Sequence, residues 1–437
     1  MQKQSIFNSI FKVFSSNVTA IGITALIGII LPRLLGPQLL GKLNSALALA
    51  AIVYSISFLG IRSSIVIVMG QKSYDMKQMV SAIFFISLLS ILLSTSMLLF
   101  FLLFISTDIY ALSMIILVCL LNPFDFVLSY MSGFSLANQK FKIFNRLNLL
   151  PKVIQLIAVL VLIGYFDLRL TAVLFAILIS KLLTILITFR SIKLPWPDIR
   201  IRHIPAALFK SLLKYGMVYA LAFLLTRLNY RVDLLILKRL SEISEVGYYS
   251  LGVNIAETIW QIPIAVGLVL MTHSAGEKDQ KLITAQVCVT LRISLIISVL
   301  ATTVLFLLTP FLIKLVFGVM YLPSISIVRT ILPGILFFVV LKIINSQFIG
   351  NGKPELAIYA LLPSVIINVV LNILLIPSYK GVGAAMATNI SYFCGSFVLL
   401  VIYSRTYSVS LVDIFKYRSS DFSFIHSLRH KLVRHFS

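Results

Sequence analysis

The sequence predicts an all-α polytopic membrane protein: about twelve transmembrane helices in two six-helix bundles, arranged as parallel repeats around a central cavity. Three observations predict it. Apolar residues make up 59% of the chain and its mean hydropathy is +1.04, far outside the range of soluble domains. This hydrophobicity is gathered into runs of about 20 residues, the length that crosses a bilayer core. Short stretches of the first half also recur in the second at a nearly constant offset.

Taken in order, the runs of the first half are Phe14 to Pro32, Leu43 to Leu59, Val80 to Ser106, Tyr110 to Met131, Leu149 to Phe166 and Leu170 to Thr188. Those of the second are Leu213 to Leu237, Val246 to Met271, Ile283 to Leu308, Ile325 to Phe348, Leu356 to Ile376 and Val382 to Tyr403. The polar start, Met1 to Lys12, leads into a full-length run rather than a short cleavable one, so the first helix reads as an anchor and not a signal peptide. Pro195, Pro197 and Pro205 discourage one continuous helix across the connection from Arg190 to Lys214. The expected division is residues 1–197 as a first lobe, 198–404 as a second and 405–437 as a basic tail.

A formal charge of +23 raises the question of nucleic acid, but its distribution follows topology. Most of the 37 lysines and arginines fall on the side of the membrane that holds both termini, which the positive-inside rule assigns to the cytoplasm. The connection from Arg190 to Lys214 and the tail after Tyr403 each carry six basic residues. Such clusters hold topology and touch anionic headgroups, or else dock a partner protein. Nucleic acid is not implied. Cys119, Cys288 and Cys394 are scattered through apolar runs and read as packing residues, not as a disulfide framework. His203, His273, His426, His430 and His435 fall in connections or the tail with no cysteine nearby, so no metal is implied.

The repeat is visible residue by residue. Ile30, Leu31, Arg33, Leu34 and Gly41 match Ile236, Leu237, Arg239, Leu240 and Gly247 without a gap, and Leu149, Leu150, Pro151, Val153 and Ile154 match Leu361, Leu362, Pro363, Val365 and Ile366. A unit of six helices enters the membrane the same way each time, so the two copies are parallel about an axis along the membrane normal. Chance matching of apolar residues is the competing explanation.

Charge inside the runs is the main clue to function. Arg227 and Arg231 lie one helical turn apart within Leu213 to Leu237, with Asp233 close behind, and Lys181, Arg292, Arg329 and Lys342 are further cations at depth. A charge at the bilayer centre costs at least about 2.5 kcal/mol, so it persists where it faces a cavity, a partner or a pathway. Asp125, Asp233 and Glu257 are too few to neutralise these six cations, and the excess should attract an anion. A guanidinium fork suits phosphate oxygens. The competing reading for Arg227 and Arg231 is an internal pair with Asp233 or Glu257. Asn122, Asp125 and Ser129, then Asn254, Glu257 and Gln261, then Lys342 with Asn345, and Asn368 with Asn372, form polar stripes at helical spacing. For the amides, hydrogen bonding between helices is the plainer role.

The stretch from Leu212 to Val266 resembles the seventh and eighth helices of polysaccharide-biosynthesis flippases, most specifically in RVDLLIL followed by VGYYSLGVNIAE. RLLGPQLLGKLNSALALA, from Arg33 to Ala50, and NVVLNILLIPSYKGVGAAMATNI, from Asn368 to Ile390, agree with it. The chain is thus similar to the O-antigen flippase branch of the multidrug, oligosaccharidyl-lipid and polysaccharide exporter superfamily. That resemblance implies two six-helix lobes and a cation-lined cavity. It also implies a cargo of undecaprenyl-diphosphate-linked oligosaccharide, an O-antigen or related surface repeat unit in lipopolysaccharide biosynthesis, moved between leaflets by rocking of the lobes. It further implies a bacterial plasma (inner) membrane, with polysaccharide polymerase and ligase machinery as candidate partners beside membrane lipid. Arg227 and Arg231 would then engage the diphosphate.

No cofactor is expected. Gly36, Gly41 and Lys42 approach a phosphate-binding loop, but Leu43 stands where a hydroxyl residue belongs, which argues against direct use of ATP. Asp125, Asp233 or Glu257 could couple proton or sodium movement, or Glu257 could simply hold an arginine in place. A drug or cation exporter of the same superfamily would want acidic rather than basic cavity residues. A membrane-embedded polysaccharide polymerase would want a sizeable outer loop. The longest outer connection, Thr309 to Ser324, carries Lys314 and no carboxylate, histidine or cysteine, so an enzyme is not expected.

Overall fold

In the computed structural model the described residues are 2–71, 74–104, 109–138, 140–165, 169–192, 204–261, 263, 264, 266, 267, 270, 274, 279–418 and 421, with side chains from Thr19 onward except at 164, 165 and 192. Among them there is no strand. Residues 193–203 of the connection from Arg190 to Lys214, with Pro195 and Pro197, all five histidines and the tail beyond Asp421 lie outside the described residues.

The chain runs through α1 (Gln2–Ser57), α2 (Ile61–Gly70), α3 (Met76–Phe104), α4 (Leu112–Ala137), α5 (Phe141–Tyr165) and α6 (Arg169–Ile192). It continues through α7 (Ala206–Leu240), α8 (Ile243–Glu257), α9 (Gln280–Leu312), α10 (Ser324–Gly350), α11 (Glu355–Tyr407) and the short α12 (Leu411–Phe415). Nine helical stretches among the described residues are long and apolar enough to cross a membrane. Two of these are double crossings. α1 breaks at Gly36, whose φ of 70° glycine tolerates at no steric cost, and Pro37 restarts the helix where its missing N–H is not needed. α11 breaks at Lys380, with φ of 50°, a value that is uncommon for a residue with a side chain. There Glu245 of α8 accepts from the Gly381 N–H at 3.4 Å and lies 4.0 Å from the Lys380 ammonium. With α8 and the turn that follows it (Thr258–Trp260), twelve crossing segments result.

The structure departs from the sequence reading at two places, the end of the second run and the stretch from Thr309 to Ser324. Leu59 and Gly60 both take positive φ, ending α1, and the chain then resumes as α2 instead of leaving the membrane. The stretch from Thr309 to Ser324 is not an open loop: α9 runs to Leu312, a wide turn follows at Ile313–Phe317, and Gly318 at φ of 91° leads into the turn Val319–Tyr321.

The first six crossings pack as one bundle and the second six as another, and the two touch along a seam. At one end α1, just after its break, crosses α8. A Cβ at Gly41 would collide with the Ile243 carbonyl, and one at Gly247 with the Pro37 carbonyl. Asn44 Nδ2 donates to Ser250 Oγ across the same crossing at 2.8 Å, between residues 206 apart. The pairs Pro37 and Ile243, Gly41 and Gly247, and Asn44 and Ser250 all share that separation, so the sequence repeat meets itself here in a two-fold contact. At the other end Gly60 and Gly216 approach just as closely, and Ser64 Oγ donates to the Leu212 carbonyl at 2.8 Å.

Gly41→Leu is expected to lower the thermal midpoint of the detergent-solubilised protein, with a cost of about 1 to 3 kcal/mol or more from overpacking against backbone. Gly28→Leu, where an added Cβ meets nothing within 4 Å, is expected to leave the midpoint near that of the wild type.

A cavity between the two lobes

Between the two glycine contacts the lobes diverge around a cavity of about 850 Å³. Its first-lobe wall comes from α1 after the break, α2, α4 and α6, and its second-lobe wall from α7, α10 and the start of α11. Three cations, Arg62, Lys181 and Arg227, and one carboxylate, Asp125, line it. Lys181 Nζ lies 2.7 Å from Asp125 Oδ2, so that pair neutralises itself. The Arg227 guanidinium stacks over the Phe223 ring one turn back, at 4.9 Å, and the Arg62 guanidinium sits 5.8 Å from the Phe144 ring. Neither has a carboxylate at ion-pairing distance among the described residues.

Helical spacing carries this face of α7 on from Arg227 to Arg231, which pairs with Glu257 of α8 at 3.9 Å. The Lys342 ammonium of α10 lies over Phe338 at 4.9 Å and Tyr230 at 5.7 Å. Glu257 is within electrostatic reach of Arg231, Lys342 and Arg227 together. Three of the expected cations therefore gather around a single carboxylate. Of the two acids that could have held Arg231, the structure selects Glu257.

Asp233 makes no ion pair with the arginines among the described residues and is held by hydrogen bonds within the second lobe. It accepts from the Tyr249 hydroxyl and, at 2.8 Å, from the Leu234 N–H. Tyr249 stands 3.3 Å from the Thr388 hydroxyl, and Asn368 donates to Ser391 at 3.3 Å. Asn372 donates to Asn368 Oδ1 at 3.0 Å, and Asn229 to Ser364 at 2.7 Å. Of the amides read from helical spacing, Asn122 donates to Ser94 of α3 and Asn368 to Ser391 beyond the break of α11, whereas the bonds of Asn372 stay within its own helix. Two acceptor oxygens in this network, Asn229 Oδ1 and Asn372 Oδ1, are nonetheless buried without a donor.

Two expected site residues are elsewhere. Arg292 is buried, but its Nε and Nη2 donate to the two carboxylate oxygens of Asp421 at 2.8 Å each, and its Nη1 to the Asp413 and Ile414 carbonyls at 3.2 and 3.1 Å. It anchors the segment that follows α11 and does not face the cavity between the lobes. Arg329 lies over Phe306 of α9 at 4.8 Å, also away from it. The residue that sequence reasoning missed is Arg62. Its helix was cut short at Leu59, although the apolar run IVIVM at Ile65 to Met69 signals that the chain is still packed at depth.

The Arg292 guanidinium holds the Asp421 carboxyl below its usual value of 3.8. A depressed carboxyl stabilises the fold above its ordinary range, and that contribution disappears as pH falls through the folded value. The thermal midpoint of wild type is therefore expected to exceed that of Asp421→Asn at pH 7, with the gap closing as pH falls below about 4.

The chain matches the polysaccharide biosynthesis protein family over residues 6–271 and the MatE family over residues 219–374. No curated protein matches it. Among solved structures it is similar to an inward-facing multidrug resistance MATE family transporter of the MOP superfamily, with a TM-score of 0.69 and 15% identity over 90% of this chain and 94% of that one. It is also similar to the lipid II flippase MurJ in an inward closed conformation, with a TM-score of 0.68 and 17% identity over 94% and 96%. A mutant of the Vibrio cholerae MATE transporter VcmN follows with 0.64 and 15% over 94% and 99%. These likenesses establish the twelve-crossing, two-bundle fold.

Proposed function

From the premise that the chain belongs to the polysaccharide biosynthesis protein family, we propose that it is a flippase for an undecaprenyl-diphosphate-linked oligosaccharide, an O-antigen or related surface repeat unit. Its matched family and structural neighbours are those of flippases and exporters, not enzymes, which sets the polymerase alternative aside. The observation that carries the cargo assignment is the pair of guanidiniums, Arg62 and Arg227, on opposite walls of one cavity, neither with a carboxylate at ion-pairing distance among the described residues. Moving a diphosphate and its sugars through about 30 Å of hydrocarbon is prohibitive without a polar route. The cavity supplies that route, the guanidiniums bind the diphosphate, and the prenyl chain stays in lipid. Arg231, paired with Glu257 at 3.9 Å, and Lys342, over the Phe338 ring, extend the cationic surface along α7 and α10. The lobes rock between one access and the other. On this reading the protein sits in a bacterial inner membrane with both termini cytoplasmic, and polymerase and ligase machinery receive its product.

The MatE match over residues 219–374 favours a second reading, an exporter of drugs or cations. A cationic cargo would meet Arg62 and Arg227 as like charges, and the one carboxylate on the cavity wall is already paired with Lys181. In cells lacking the protein and complemented at equal membrane abundance, Arg227→Ala and Arg62→Ala are each expected to reduce surface glycan at least about tenfold. Lipid-linked precursor should accumulate on the cytoplasmic face, and Arg227→Lys should recover part of the loss. Normal glycan without the protein, or resistance to lipophilic cations that depends on it, would favour the exporter reading.

Coupling is assigned to Asp233. Its carboxylate, with the orphaned acceptor oxygens Asn229 Oδ1 and Asn372 Oδ1 nearby in the same network, offers oxygens to a proton or a sodium ion. In proteoliposomes Asp233→Asn is expected to abolish the response of translocation to an imposed proton or sodium gradient. A mutant that responds to both gradients as wild type does would remove Asp233 from coupling.

A further inference from the structure

Arg227 projects from the second-lobe wall, and the first-lobe wall opposite carries, besides Arg62, a carboxylate and aromatic rings. Asp125 of α4 and Lys181 of α6 both belong to the first lobe, so their ion pair does not hold the lobes together. Nor is it buried like a clip between two helices: both residues line the cavity, the Asp125 side chain 44% exposed and that of Lys181 15%. Lys181 takes Oδ2, and Oδ1 receives no hydrogen bond among the described residues. Aromatic rings complete the surroundings. Tyr54 and Phe58 stack at 5.1 Å, and Phe223 of the second lobe lies 6.1 Å from Phe58, all three on the cavity wall. The Tyr54 hydroxyl is committed to Ser129 at 2.6 Å, which fixes the ring.

A carboxylate with a free oxygen beside fixed aromatic faces suits a ring whose hydroxyls donate and whose C–H face is apolar. It does not suit a second carboxylate, which would meet Asp125 as a like charge. We propose that Asp125, oriented by Lys181, is the saccharide-facing subsite of this cavity and selects an uncharged sugar over an acidic one next to the diphosphate. The proposal rests on the flippase reading and deepens it. Lys181 acts as a positioning and neutralising residue: it keeps one oxygen of Asp125 occupied and presents the other.

The test is binding of three lipids to the full-length protein in nanodiscs: undecaprenyl diphosphate alone, or carrying one glucose, or carrying one glucuronic acid. Wild type is expected to bind the glucose lipid about tenfold more tightly than the glucuronic acid lipid. Asp125→Asn, which keeps the shape and removes the charge, should bring the two within about twofold of each other. Lys181→Met, which leaves the carboxylate without its counter-charge, should widen the ratio. Movement in opposite directions is a signature that general loosening of α4 and α6 would not produce. Equal affinity of wild type for the two glycolipids overturns the subsite, as does an unchanged ratio in Asp125→Asn or a shift in the same direction in both variants. If wild type binds none of the three lipids, the flippase reading falls, and the subsite with it.

Discussion

The cavity depends on two places where helix backbones of opposite lobes touch with no side chain between them. One helical segment, from Pro37 to the break at Gly60, carries both contacts, Gly41 on the α8 backbone and Gly60 on the α7 backbone. At 1.5 Å per residue these lie about 28 Å apart, close to the thickness of the hydrocarbon. This helical segment of the first lobe, pinned near its two ends to α8 and to α7 and bulky in its middle, leaves a gap between the pins. The side chains that occupy that middle, Tyr54 and Phe58 on one side and Phe223 and Arg227 on the other, are the ones that line the cavity.

The electrostatics follow from the same geometry. A charge in hydrocarbon is tolerated only where it finds water, a counter-charge or a ligand, and on the proposed flippase reading the gap between the lobes offers the first and third. The charged residues sort themselves by this rule. Lys181 and Asp125 neutralise each other, Arg231 leans on Glu257, and Arg292 is saturated by Asp421 and two carbonyls. Among the described residues Arg62 and Arg227 are left with no ion pair and with aromatic faces, a contact that stabilises a cation without cancelling its charge. A site that binds and then releases an anion needs cations of that kind.

The crossings were legible in the sequence because length and hydropathy determine them locally: a run of about 20 apolar residues in lipid has no stable alternative to a helix. The cationic face of α7 was legible for a similar reason, since Phe223, Arg227 and Arg231 share a helical face by spacing alone. Position in the third dimension was not. The bend at Leu59 and Gly60 falls inside apolar sequence, so Arg62 read as part of a connection. Arg292 read as an unpaired cation at depth because its partner, Asp421, lies 129 residues away in a tail dominated by basic residues. The choice of Glu257 over Asp233 for Arg231 depends on how α8 packs against α7, and nothing in the local pattern of α7 records it.

The crossing of Gly41 on Gly247 has a consequence for how such a chain can change over time. Residues related by the internal repeat are also one another's neighbours, as in the interface of a symmetric homodimer, although here one gene encodes both faces. In a true homodimer one substitution alters both sides at once, and a clash with its own copy is met immediately. In this chain each side drifts separately, as Asn44 opposite Ser250 already shows. The two backbones can approach only while both positions keep their small residues. A mutation in one half is therefore judged against the unmutated half, which confines both positions of this seam to small residues while the cavity walls carry no such mutual restriction.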